Sequence, residues 1–196
     1  MASRAFLIRH GETEWTISGQ HTGRTDVPLT EHGREQARHV ARELEGQKFA
    51  TVLSSPLSRA LETCRLAGLG EHVETTDELL EWDYGDYEGV TTAEIRKTRP
   101  RWSLWLDGAP GGETAAAVGQ RVDRVIEEVR RLDGDAALCA HGHVLRVLTA
   151  RWLGLPPTEG RLFALEPASL SVLGYEREQP VIQRWNLPAE QPGVRD

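Results

Sequence analysis

Short apolar runs alternate with helix-length amphipathic stretches along this chain. That order confines it to a mostly parallel α/β sheet covered by helices on both faces, a three-layer sandwich. Runs that suit strands fall at about 5–9, 50–54, 136–140, 169–175 and 181–185. After the first, Thr30 is placed to cap a helix in which Ala37, Val40, Ala41 and Leu44 recur at helical spacing and Gly46 marks the end. Ser55-Pro56 reads as N-cap and first position of a second helix, running to about Leu66. A third spans about Glu113 to Leu132, with Val118, Val122, Val125, Ile126 and Val129 along one side. A fourth runs from His143 to Leu153, stopped by Gly154 and Pro156-Pro157. The final two strands are joined by a short charged connection, which suits an antiparallel hairpin at a sheet edge. No repeat or linker divides the 196 residues, so one domain is expected, with a poorly ordered tail over 188–196.

Residues 82–112 break the pattern. They hold Trp82, Tyr84, Tyr87, Trp102 and Trp105 among five glycines, around a short helix near 91–98. A glycine-punctuated, aromatic excursion of this kind suits a cover over a substrate, and the segment is read as a lid or insertion.

Composition narrows the function. A net charge of −7 argues against a nucleic-acid binder, and it requires any polyanionic substrate to be drawn in by a local cluster of cations. Cys64 and Cys139 lie in no metal-ligand spacing and in no disulfide framework. No stretch approaches membrane-spanning length and no apolar leader opens the chain. The expectation is a cytoplasmic protein without a membrane partner, with self-association left open.

Arg9-His10-Gly11-Glu12 follows the first strand directly, where a central strand of an open α/β sheet meets its ligand crevice. An Arg there can grip a phosphate through two oxygens while a neutral imidazole beside it attacks phosphorus. Gly11 allows close approach of the backbone. Phosphoryl transfer without a metal takes its positive charge from side chains and helix N-termini. Arg59, in the first turn of the second helix, and His141, at the end of the run 136–140, are placed to join Arg9 and His10 on one sheet edge. Gly142 leaves the amides after His141 accessible. The departing alkoxide needs a proton and the following hydrolysis needs a base. One carboxyl group buried beside aromatic rings can serve both. Glu81, between Leu79-Leu80 and Trp82, suits this role, with Asp83, Asp86, Glu88 and Glu12 as rivals.

The stretch Arg9-His10-Gly11-Glu12-Thr13-Glu14-Trp15 resembles the signature of the histidine phosphatase superfamily, which includes the cofactor-dependent phosphoglycerate mutases. Further matches follow in order: His21-Thr22-Gly23, Ser54 through Ala60, Glu81 through Gly89, and Ala140-His141-Gly142-His143. The resemblance covers about residues 4–155 and is closest to the sedoheptulose bisphosphatase and broad acid phosphatase branch. It implies a phosphoglycerate mutase-like fold and a phosphomonoesterase without cofactor or metal, acting through a phosphohistidine on small phosphate esters, sugar phosphates or bisphosphates. In that reading His10 is the nucleophile, Arg9, Arg59 and His141 stabilise the transferring group, and Glu81 is the proton donor. Thr13, Thr16, Thr22 and Gly23 supply hydroxyl and amide donors, with Thr16 standing where the mutase pattern usually has Asn. Trp82, Tyr84, Gly142 and His143 complete the substrate-facing set, and Arg146 is placed for a second anionic group.

Two rivals stand beside this reading. A 2,3-bisphosphoglycerate-dependent mutase would share the intermediate, but the region after Glu81 lacks the adjacent Arg pair of those enzymes. A non-catalytic phospho-ligand module would be expected to lose His10 or Glu81, and both are present. The His141-x-His143 spacing lacks the further ligands that a zinc or dinuclear site needs.

Overall fold

The computed structural model describes residues 3–188, so the 188–196 tail falls, beyond Pro188, outside the described residues. Strands β1 (Ala5–Arg9), β2 (Phe49–Ser54), β3 (Val73–Thr75), β4 (Asp135–Ala140), β5 (Leu170–Glu176) and β6 (Gln179–Leu187) form one sheet in the order β3-β2-β4-β1-β5-β6. The first four are mutually parallel; β5 runs antiparallel to β1, and β6 antiparallel to β5, as the expected edge hairpin.

The helices are α1 (Glu14–Ser18), α2 (Glu31–Glu43), α3 (Ser58–Cys64), α4 (Thr92–Thr98), α5 (Leu104–Asp107), α6 (Ala115–Arg131) and α7 (Gly142–Trp152). Alternate residues of β1 divide between two cores. Ala5 and Leu7 face the valines of α6 and the apolar side of α7, whereas Phe6 and Ile8 pack with Val40 and Leu44 after β1 and Cys64 at the end of α3. A strand buried on both faces needs apolar residues at every position, which is why the runs are continuous rather than alternating. Among the described residues no helix is long and apolar enough to cross a membrane.

Some boundaries differ from the sequence reading. Helix α3 starts at Ser58 rather than Pro56, with Leu57 at the cap position. Ser55 is still held to the sheet, its N–H donating to the Cys139 carbonyl at 2.9 Å, and Leu57 keeps an extended backbone, so the helix begins only at Ser58. Asp26 then caps the helix from outside, accepting from the Ser58 N–H at 2.8 Å and its hydroxyl at 2.9 Å. Helix α6 starts at Ala115 behind a Thr114 cap, because Glu113 is engaged elsewhere. Strand β3 carries one apolar residue in three and sits exposed at the edge, so it left no run to read.

The 82–112 excursion is packed on the α6–α7 side of the sheet. Trp82, Tyr84, Ile95, Trp102 and Leu104 belong to the core there, and its two ends meet. The Asp86 N–H donates to the Pro110 carbonyl and the Glu113 N–H to the Asp83 carbonyl, both at 2.9 Å.

Candidate active site

The register of the sheet assembles the site. Arg9 pairs with Ala140 across the parallel β1–β4 ladder, so His10 and His141 leave neighbouring strands side by side. The His10 N–H donates to the Ala140 carbonyl at 3.0 Å, and the two imidazoles stand edge to face with centroids 5.2 Å apart. Glycine makes the turn after β1 possible. A Cβ on Gly11 would lie 2.3 Å from the Gly33 carbonyl oxygen, and one on Gly33 would lie 2.2 Å from that of Glu12. The start of α2 therefore presses directly against the backbone that carries His10.

The tautomer of His10 follows from its partner. Nδ1 lies 2.7 Å from the Gly11 carbonyl oxygen, and a carbonyl only accepts, so Nδ1 carries the proton and Nε2 the lone pair. Burial, and then the charges of Arg59 and Arg9, push this imidazole well below its ordinary value of 6.5 and keep it neutral. His141 has the opposite tautomer. Arg59 Nε donates to its Nδ1 at 3.1 Å, so Nε2 bears the proton and donates to Ser55 Oγ at 2.8 Å. It too is held neutral, by burial and then by Arg59.

His10 opens onto a cavity of about 200 Å³. Its wall includes Arg9, Thr16, Thr22, Glu81, Tyr84, Gly142, His143 and Arg146 from the sequence-predicted set. Arg9 donates Nη1 to the Leu165 carbonyl, while its buried Nε has no partner among the described residues. A buried donor left open in this way fits an anion. Gly142 makes room for it, since a Cβ there would meet the Arg9 guanidinium at 3.3–3.6 Å.

Glu81 is fixed at the N-terminus of α7. One carboxylate oxygen accepts from the Trp82 and Val144 N–H groups and the other from the His143 N–H, all at 2.9 Å. The unpaired amides of a helix start are a natural seat for a carboxylate. Beside it Tyr84 Oη meets His143 Nδ1 at 2.7 Å. Burial, followed by the charge of Glu81, raises Tyr84 well above 10.0, so its hydroxyl stays protonated. Arg146 lies over the Trp105 ring, 4.6 Å from its centroid, with Nε donating to the Gly160 carbonyl at 3.2 Å.

Five predicted residues stand behind the wall rather than in it. Arg59 is fully buried. Besides His141, it donates to the carbonyls of Thr22, Gly23 and Thr25 at 2.9–3.2 Å, shaping the 22–25 loop. His141 is equally buried, with both ring nitrogens engaged. The Thr13 hydroxyl caps α1, accepting from the Thr16 N–H at 3.2 Å. The Gly23 N–H donates to Glu88 Oε1 at 2.9 Å. Trp82 is a core residue whose indole N–H donates to the Glu113 carbonyl at 2.9 Å. Of the acid rivals, Glu12 accepts from the Thr30 hydroxyl and Glu88 from the Gly23 and Thr25 amides, which turns both to structural work.

Conversely, Trp15, Gly19, Gln20, His21 and Leu165 line the cavity without having been singled out. His21 had a signal, since it lies in a quoted motif. Its ring stacks on Tyr84 at 4.7 Å and meets Trp102 at 5.6 Å. Leu165 comes from a distant irregular stretch and had none. No group of three or more potential metal ligands is present among the described residues.

Comparison with known proteins places the chain in a family. The profile of the histidine phosphatase superfamily (branch 1) matches residues 5–188, and the chain belongs to that family. It is 42% identical over 182 residues to an acid phosphatase of Mycobacterium tuberculosis, a match covering 88% of this chain and 87% of the relative. It is 36% identical over 188 residues to the sedoheptulose 1,7-bisphosphatase of Saccharomyces cerevisiae, covering 79% and 69% respectively. The solved structure of a Mycobacterium tuberculosis open reading frame superposes with a TM-score of 0.88 at 39% identity, over 96% of this chain and 99% of that one. The phosphoglycerate mutase-like fold and the phosphatase class expected from the sequence agree with these findings.

Proposed function

We propose that this protein hydrolyses small phosphomonoesters, sugar phosphates or bisphosphates, through a phosphohistidine on His10. The observation that carries the reading is the free Nε2 lone pair of a neutral His10 on the same cavity as the unpaired Nε–H of Arg9 and the carboxylate of Glu81. Nε2 attacks phosphorus as the P–O ester bond breaks, and Glu81 gives its proton to the departing alkoxide. The Glu81 carboxylate then takes a proton from water, whose oxygen attacks phosphorus; the N–P bond breaks and inorganic phosphate leaves. Arg9 neutralises the transferring group, while Arg59 and His141 act from behind through charge and by holding His10 and the 22–25 loop in place. Tyr84, His143 and the 82–112 excursion cover the ester, and Arg146 meets a second anion. The two relatives, an acid phosphatase and a sedoheptulose 1,7-bisphosphatase, point the same way. A reducing cytoplasmic setting suits Cys64 and Cys139, which are buried and free.

Phosphate release from sugar monophosphates, sugar bisphosphates and phosphoglycerates, measured with EDTA present, tests the proposal. Release is expected without metal. Arg146→Ala should raise KM for the bisphosphates about 10-fold or more while changing the monophosphates little, the scale of one lost charge-assisted contact. Loss of activity on chelation, restored by metal, would refute the metal-free route. Conversion of 3-phosphoglycerate to its 2-isomer in the presence of bisphosphoglycerate, with no phosphate released, would make the protein a mutase.

The depressed pKa of His10 sets the acid side of the pH profile. A group lowered in the folded enzyme remains neutral, and so nucleophilic, until the pH falls through its folded value, which lies below 6.5. The kcat/KM profile is therefore expected to show no loss on passing from pH 7 to below 6.5 and to drop only in more acidic solution. An acid limb already descending at 6.5 or above would show that the imidazole is not desolvated as described.

A further inference from the structure

Glu81 reaches the cavity from an irregular stretch outside the sheet, yet proton transfer demands that its carboxyl group be placed to a fraction of an ångström. The backbone behind it is tied to the start of α6 by two residues that do not line the cavity. Arg121, 6% exposed, donates Nη1 to the Glu78 carbonyl at 2.7 Å and Nη2 to the Glu81 carbonyl at 3.2 Å. The same guanidinium grips both carboxylate oxygens of Glu113, at 2.9 and 3.1 Å. Glu113 in turn accepts from the Asp83 N–H at 2.9 Å, and its own carbonyl accepts from the Trp82 indole at 2.9 Å. Arg24 adds a looser contact to Glu113 at 3.6 Å.

We infer that the Arg121–Glu113 pair is the positioning device for the carboxyl group of Glu81, a role that rests on reading Glu81 as the proton donor and acceptor. A buried ion pair is a poor way to gain stability, since apolar residues of similar volume often serve as well. What apolar residues cannot do is hold backbone groups at 78, 81 and 83 from one rigid point. The carboxylate is referenced to the start of α7 and its backbone to α6. Those two helices pack against each other in one core, so the acid is located between fixed ends.

The test uses leaving groups that differ in their need for a proton. Glycerol 3-phosphate releases an alkoxide that must be protonated; 2,4-dinitrophenyl phosphate releases a stable anion. For both, kcat/KM reports the steps up to phosphoenzyme formation. The double variant Glu113→Gln/Arg121→Met leaves no buried charge unpaired. It is expected to lose about 30-fold or more on the alkyl ester, in keeping with the roughly 10²-fold effect of a 1 Å misplacement, and to stay within about 3-fold on the aryl ester. Arg121→Lys, which keeps the charge beside Glu113 but not the bidentate grip, should show the same contrast in smaller degree, and it decides the matter if the double variant does not unfold cooperatively. Equal losses on the two esters, or none on either, would overturn the inference. Glu81→Gln serves as the reference. If it shows the contrast and the pair variants do not, the clamp alone fails. If wild-type protein hydrolyses neither ester, or Glu81→Gln loses equally on both, the reading of Glu81 fails and the inference with it.

Discussion

A His10→Ala variant is expected to release phosphate at least about 10⁴-fold more slowly than the parent protein, the scale of losing a nucleophile that works as part of a unit. The size of the effect follows from what His10 alone provides. Of the two neighbouring imidazoles, only His10 presents a free lone pair, because Nδ1 of His141 is taken by Arg59 and its Nε2 proton by Ser55. His141 cannot step in without breaking both contacts and leaving a buried guanidinium nitrogen unpaired. Rapid acid or alkaline quenching during turnover adds a direct readout. Wild-type protein should carry a phosphoryl group that survives alkali and is lost in acid, as a phosphoramidate is, and the variant should carry none. A labelled variant, or one retaining more than a hundredth of the parental rate (about 10⁻² against the 10⁻⁴ expected), would move the nucleophile elsewhere.

The second large effect belongs to Glu81→Gln. Removing a general acid is expected to lower kcat/KM on alkyl esters by about 10²–10⁴-fold. The geometry adds a further penalty. The carboxylate accepts three N–H groups, and an amide has only one oxygen to accept with. Its oxygen can keep Trp82 and Val144, but its NH2 group then faces the His143 N–H, donor against donor, and the side chain must turn. A less proton-demanding aryl ester should recover most of the chemical loss. Comparing the two esters at matched pH therefore separates lost proton donation from a general loss of site geometry, which would lower both; an unchanged rate on the alkyl ester would hand the role to another acid.

Much of this was legible in the sequence, for physical reasons that differ by element. The central strands could be read because burial on both faces demands unbroken apolar runs, while β3 was invisible because an exposed edge demands nothing of the kind. Arg9, His10, Glu81 and Gly142 could be placed because each immediately adjoins an apolar run or a predicted helix. The start of α3 was misread because Ser55-Pro56 has the local chemistry of a helix entry, whereas the contact that caps the helix, from Asp26 to Ser58, is far away in sequence. Arg59 and His141 were brought to the right edge, but which residues touch the cavity depends on side-chain partners such as the Thr22 and Gly23 carbonyls. Arg121 and Glu113 escaped altogether. They act on backbone groups, and a backbone acceptor leaves no mark in the residues that carry it.

The pairing of β1 also has a consequence for how the protein comes into being. Its neighbours in the sheet are β4 and β5, both far along the chain from it, so the first of the six strands to be made waits for two of the later ones. Contacts of such long range are slow to form, and chains dominated by them fold late and expose unpaired edges meanwhile. A ribosome that stalls, or a protease that cuts, before Glu176 leaves His10 on a strand without one or both of its flanking partners. Activity should therefore emerge only after β5 has been made, all at once rather than by degrees, and the nascent segment that carries β1 is the part of the domain most in need of a chaperone.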